Sequence, residues 1–201
     1  MAQITIFGQG NMGQAIASRF EKAGNTVNFI TKDQEAASFG EIVVLAASFG
    51  EIVVLAVPYG AIEGILSTYA SQLAGKIIID ISNPVNFDTF DDLVVPADSS
   101  AAALIQEKLP TSFVVKGFNT TFGASLATGK VADQAITTVL LASDHADAKA
   151  KIEEVLSGSD LRVKDAGSLK RARELEAMGF LQISLAAREQ ITWTGGFAIL
   201  N

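Results

Sequence analysis

Short apolar runs alternate along this chain with longer stretches of helical periodicity. The first run, residues 3–7, reads as a strand. A helix is expected from about 11 to 23, with Gly24-Asn25 as its stop signal, and a second strand over 26–30. Further runs at 52–56, 77–81, 113–116, 137–142 and 161–163 read as strands, because a continuous apolar run bounded by turn residues suits a strand buried on both faces. Helices are expected at about 61–73, 100–109 and 146–156, with a short one after Asn119. Ser168 is expected to cap a long final helix to about residue 191, with Ala172, Leu175, Met178, Leu181 and Leu185 on its apolar stripe. Residues 85–99 carry four aspartates and read as an ordered surface loop. Strands alternating with helices predict an α/β architecture with a doubly wound, mostly parallel sheet. One domain is expected over 1–201, with 131–201 as a small C-terminal α/β extension that includes the final helix.

One stretch breaks the alternation. Residues 37–46 and 47–56 are both ASFGEIVVLA, an identical tandem repeat. A decapeptide present twice is no solenoid, and a local duplication accounts for it better. Either copy can form the same strand, but only one fits beside the first strand. Were both parallel strands, the chain would have to return across about three strand spacings of ~4.8 Å and a strand length of about 16 Å. The link between the copies spans at most ~20 Å, which falls short. The second copy is therefore expected in the core, with the first extending the preceding loop or helix.

The chemistry begins at the end of the first strand, in Gly8-Gln9-Gly10-Asn11-Met12-Gly13. A strand running into G-x-G-x-x-G and then a helix opens a dinucleotide-binding βαβ unit of Rossmann type. Gly8 permits the tight turn, Gly10 lets a pyrophosphate approach the backbone, and Gly13 lets the helix pack on the sheet. The helix N-terminus adds unpaired N–H groups and the positive end of its dipole. After the second strand the chain reads Ile30-Thr31-Lys32-Asp33. Thr31 offers a hydroxyl and Lys32 a cation, which suits the 2′-phosphate of NADP(H). Asp33, shifted by one residue, would instead suit the ribose 2′-OH of NAD.

Open α/β sheets bind ligands beyond the carboxyl ends of their strands, which nominates Ala56-Val57-Pro58, Asn83-Pro84 and Phe118-Asn119-Thr120. On their chemistry alone, Asn83-Pro84 could equally be a turn, and Asn119 and Thr120 helix caps.

Composition narrows the classes. Fifteen basic against 22 acidic side chains, net charge −7, argues against a nucleic-acid partner. No uncharged stretch approaches the ~18 residues that span a bilayer, and Met1 leads straight into a strand without a targeting pattern. Cysteine is absent, which excludes disulfides and thiolate chemistry; a cytoplasmic protein with no membrane partner is the expectation. A single histidine, His145, excludes a two-His metal site, and the spacing of Asp88, Asp91, Asp92 and Asp98 matches no Ca²⁺ loop. No nucleophile has an activating base in view. Hydride transfer between redox carriers demands orientation and exclusion of water more than acid–base groups.

Several motifs together resemble the deazaflavin-dependent NADP oxidoreductases, the family of the NADP reductase of coenzyme F-420. They are GQGNMG, Thr31-Lys32, EIVVLAVPYG (51–60), GKIIIDISNPVNF (75–87), VVKGFNTTF (114–122) and DAGSLKRARELEAMGFLQISLA (165–186). The NADPH domain of STEAP-type metalloreductases is similar. The resemblance implies a Rossmann-like fold, usually a homodimer, with NADP on the glycine loop and its 2′-phosphate near Thr31 and Lys32. It further implies that Val57-Pro58, Asn83-Pro84 and Phe118-Asn119-Thr120 line the pocket for nicotinamide and a second small-molecule redox carrier, flavin-like or deazaflavin. Thr194-Gly195-Gly196-Phe197 resembles the small-residue end of the family's final helical region. The expected activity is NADPH-dependent hydride transfer, with Asn119 and Thr120 positioning the second reactant. The alternative is a nucleotide-binding sensor or redox partner subunit without turnover.

Overall fold

The computed structural model describes residues 1–31 and 49–200; Lys32 and the first repeat copy, 37–46, lie outside the described residues. β1 (Gln3–Phe7), α1 (Asn11–Lys22) and β2 (Thr26–Ile30) form the opening βαβ unit, with β2 parallel to β1. β3 (Ile52–Leu55) lies on the other side of β1, followed by α2 (Tyr59–Leu73), β4 (Ile77–Asp80), α3 (Ala101–Lys108) and β5 (Phe113–Lys116). These five strands are all parallel. The short helix α4 (Gly123–Thr128) leads to a small hairpin, β6 (Lys130–Val131) with β7 (Ala135–Ile136), which the sequence pattern had not suggested. β8 (Thr138–Ala142) joins β5 antiparallel, and β9 (Arg162–Gly167) follows α5 (Ala146–Val155) to lie parallel to β8. Among the described residues the main sheet runs β2-β1-β3-β4-β5-β8-β9. The expected α/β, doubly wound, mostly parallel architecture is what forms.

The strands are buried on both sides, so alternate residues feed two cores. Ile4, Ile6, Ile52, Val54, Ile77, Ile79 and Val115 pack with Ile16 and Phe20 of α1 and Ile152 of α5. Phe7, Val53, Leu55, Ile78 and Val114 pack with Ile62, Ile65 and Leu66 of α2 and Ile105 of α3. Each such aliphatic side chain taken fully from water contributes about 1.5–3 kcal/mol.

The second repeat copy occupies the strand slot beside β1, as expected. Its fit has a local cause in Gly50. A Cβ there would lie 2.0 Å from Gln3 O, so β1 approaches too closely for any other residue. Gly50 N–H also donates to Thr5 Oγ1 at 2.9 Å. Phe49 stacks edge-on against Phe7, with ring centroids 5.5 Å apart.

The C-terminal third departs from expectation at its last helix. Leu169–Arg171 form a 3-10 turn, and α6 runs Ala172–Ala187, ending four residues before residue 191. The Ser168 side chain makes no capping hydrogen bond. The buried face of α6 is Ala172, Leu175, Glu176, Gly179, Gln182 and Ala186, whereas Leu181 is 53% exposed. The apolar stripe read from the sequence was rotated from the true one because two polar residues and a glycine occupy inward positions. Among the described residues no helix is long and apolar enough to cross a membrane.

Candidate functional site

The parallel strands β1 to β5 all end at one edge of the sheet, and the nominated residues gather there. Gly8 turns the chain out of β1 with φ +96°, a conformation that L side chains rarely adopt. A Cβ on Gly8 would lie 2.3 Å from Ala56 O, and one on Gly13 would lie 2.2 Å from Gly8 O. These two glycines are demanded by the protein's own packing. Gly10 differs: a Cβ there would meet nothing within 4 Å. Its bareness leaves an open approach at the N-cap of α1, where the backbone N–H groups of the first turn face outward. Neither Gly8, Gln9, Gly10 nor Asn11 is buried. Thr31 emerges from β2 at the same edge.

Ala56 stays in the ladder through its N–H to Phe7 O at 2.9 Å, and Pro58 is the N-cap of α2. From β4 and β5 come Asn83 and Asn119, which hold each other. Asn83 Nδ2 donates to Asn119 O, and Asn119 Nδ2 donates to Asn83 Oδ1, both at 2.9 Å. Asn119 Nδ2 also donates to Leu175 O on α6 at 2.8 Å. A main-chain carbonyl can only accept, so this bond fixes which way the Asn119 amide faces. Asn119 Oδ1 is then left buried with no donor.

These asparagines line a cleft of about 400 Å³ together with Asn11, Met12, Ile183 and Trp193. Phe118 lies beneath it, fully buried, with φ 63°. Thr120 is buried and lies outside the cleft lining, where Thr121 takes the position expected of it. Neither Asn119 nor Thr120 caps a helix, since the N-cap of α4 is Phe122. Pro84 is buried between Asn83 and the loop, and its carbonyl accepts from Val94 N–H at 2.7 Å.

Behind the asparagine pair is a buried ionic cluster that reading along the chain had missed. Lys116 Nζ contacts Asp80 Oδ2 and Glu176 Oε1, each at 2.8 Å, and all three side chains are at most 1% exposed. The ammonium also donates to Ser82 O at 2.5 Å. Asp80 Oδ1 accepts from Ser82 N–H at 2.9 Å, and Glu176 Oε2 accepts from Ala101 N–H at 2.9 Å. Burial pushes the Glu176 carboxyl above the usual carboxylate range, with the Lys116 charge opposing that shift. Burial also raises the Tyr59 hydroxyl, and the negative Glu176 and Asp80 act in the same direction. The cluster joins the ends of β4 and β5 to α6 one residue away from Asn83 and from Leu175. A signal existed in the sequence: Asp80 and Lys116 each close an apolar strand, and they are register partners.

Gly179 completes the arrangement. A Cβ there would lie 2.3 Å from Asn83 Oδ1, so the glycine allows α6 to press on the asparagine pair. Among the described residues no group of three or more His, Asp or Glu side chains could hold a metal ion. His145 stands apart, its ring 5.0 Å from Phe113.

Residues 3–84 match the family described as NADP oxidoreductase, coenzyme F420-dependent. The resemblance expected from the motifs is thus found. The rat metalloreductase STEAP3 is 28% identical over 193 residues, covering 88% of this chain. The chain spans only 36% of that relative's length. A structure described as a candidate F420-dependent NADP reductase from Arthrobacter sp. FB24 superposes with a TM-score of 0.82 at 25% identity, covering 100% of both chains. A Sinorhizobium meliloti protein of undescribed function, SMa0349, superposes with a TM-score of 0.69 at 27% identity, covering 84% of this chain and 86% of that one.

Proposed function

We propose that this chain is an NADPH-dependent oxidoreductase that transfers a hydride between nicotinamide and a planar flavin-like or deazaflavin carrier. The observation that carries the reading is the pairing of Gly10, open on its outer side, with the adjoining cleft. Gly8, Gly10, Gly13 and the first turn of α1 would hold the diphosphate, with Gln9, Asn11 and Met12 around it. Thr31 and Lys32 would read the 2′-phosphate, and Ala56, Val57 and Pro58 would flank the ribose. Asn83, Pro84, Phe118 and Asn119 would shape the nicotinamide end.

NADPH held there would supply a hydride, two electrons with one proton, and the second proton of the reduced carrier would come from solvent. The protein's contribution is orientation: the locked amides Asn83 and Asn119 hold the cleft rigid, and its apolar walls limit water. The family match and the Arthrobacter structure support this assignment. A homodimer fits the exposed Phe87, Val94 and Leu181.

Calorimetry with NADPH and NADH, followed by NADPH oxidation with F-420, FMN and FAD, tests the reading. Replacing Lys32 with alanine should weaken NADPH by roughly tenfold or more relative to NADH. Equal losses for both nucleotides would remove Lys32 from its role. Tight NADPH binding without turnover on any acceptor would favour the sensor or redox partner subunit instead.

A further inference from the structure

The chain has one tryptophan, Trp193, and it stands at the cleft with its side chain 54% exposed. The dinucleotide reading gives it no task. Its position is nonetheless held firmly. The indole packs on the buried Phe122 with ring centroids 5.0 Å apart. The residues that follow are fastened to the body of the fold. Ser125 Oγ donates to Thr194 O at 3.1 Å, and Ala132 N–H donates to the same carbonyl at 2.8 Å. Phe197 N–H donates to Gln182 Oε1 at 3.0 Å. Gln182 is 2% exposed on the inner face of α6. Burying an amide is costly unless it is bonded, and here the bond goes to the terminal segment that carries the indole. Gly196 makes the approach possible, with φ +126° and no side chain to collide with Gln182 Oε1.

The cleft therefore presents a fixed aromatic face. Flat aromatic rings pair well with an indole through offset or edge contacts. We infer that Trp193 is the contact residue for the second reactant. A planar nitrogen heterocycle lies against the indole. Gln182 is a positioning residue that acts through the tail. This rests on the hydride-transfer reading above.

Calorimetry on the intact chain tests this contact. The probes are NADP⁺ alone, then FMN or 5-deazariboflavin alone, then each ring compound with saturating NADP⁺. Trp193→Ala should weaken both ring compounds by about tenfold while NADP⁺ affinity stays within about twofold. Trp193→Phe should restore ring affinity to within about threefold of the unaltered chain, and Gln182→Ala should behave as Trp193→Ala does. Quenching of the single indole by FMN in the presence of NADP⁺ gives a second readout. Unchanged ring affinity in Trp193→Ala, or no binding of either ring by the unaltered chain, overturns the inference while leaving NADP⁺ binding intact. Failure of the unaltered chain to bind NADP⁺ instead defeats the reading on which the inference rests.

Discussion

The glycine corner and the asparagine–lysine cluster lie at the same edge of the sheet, but they are built on opposite principles. The corner is local. Gly8 to Gly13 are contiguous, and the turn needs only β1 before it, α1 behind it and the Ala56 carbonyl beside it. The cluster is assembled from residues 80, 82, 83, 116, 119 and 176, brought together from β4, β5 and α6. The corner offers unpaired N–H groups and little charge. The cluster encloses one cation with two carboxylates out of contact with water. A local turn can be made by any chain with the right residues in order, whereas the cluster exists only once the sheet has closed.

That contrast predicts where damage spreads. The largest effect is expected from Lys116→Ala, which leaves Asp80 and Glu176 facing each other without a cation. Stability should fall by about 3–5 kcal/mol in urea unfolding. A loss below about 1 kcal/mol would mean the cluster is not holding β4, β5 and α6 together.

The corner should divide its own glycines. Gly8→Ala forces a Cβ toward the Ala56 carbonyl at a positive φ, so stability should drop by about 1–3 kcal/mol. Gly10→Ala meets no protein atom, so stability should move by about 1 kcal/mol or less. NADPH affinity should nevertheless fall by roughly tenfold or more. If Gly10→Ala bound NADPH normally, the open side of that glycine would have no ligand to explain it.

A smaller effect separates charge from shape in the cluster. The Glu176 carboxyl is raised in the folded state, so its contribution to stability is fully present below the ordinary carboxylate range. It is lost as pH rises through the raised value. The native chain should therefore gain stability relative to Glu176→Gln as pH falls from neutral toward that range. Melting temperatures that run parallel across that window would contradict the raised carboxyl. The smallest effect is expected from deleting residues 37–46. The second copy already supplies β3, so the melting temperature should stay within about 3 °C. Loss of folded protein would make the extra copy structural.

Much of the candidate site was legible because it is written in consecutive residues. Gly8, Gly10 and Gly13 were nominated by the turn and Asn83 and Asn119 by their places at strand ends, and the fold brings all five to one edge of the sheet. Thr120 was nominated by the same rule, yet Thr121 lines the cleft, because the turn at Phe118 decides which neighbour faces inward. Glu176 and Gln182 were hidden by the assumption that buried helix positions are apolar. Met178 and Leu181 looked like core, while α6 in fact buries Gly179 and two polar residues. Trp193 had no periodicity to mark it.

Sequence alone determined the order of the seven main-sheet strands and the helices between them, and the dinucleotide-type turn, and it favoured the second repeat copy for β3. Each of these depends on spacing between neighbours or on the reach of a short link. Only the tertiary structure decided that Asp80, Lys116 and Glu176 share one buried site. It also decided that Asn119 is left with an unpaired oxygen, and that a tail tied to Gln182 brings an indole to the same cleft. Those facts rest on contacts between residues far apart in the chain, and the direction of each such side chain is set by packing that no local pattern encodes.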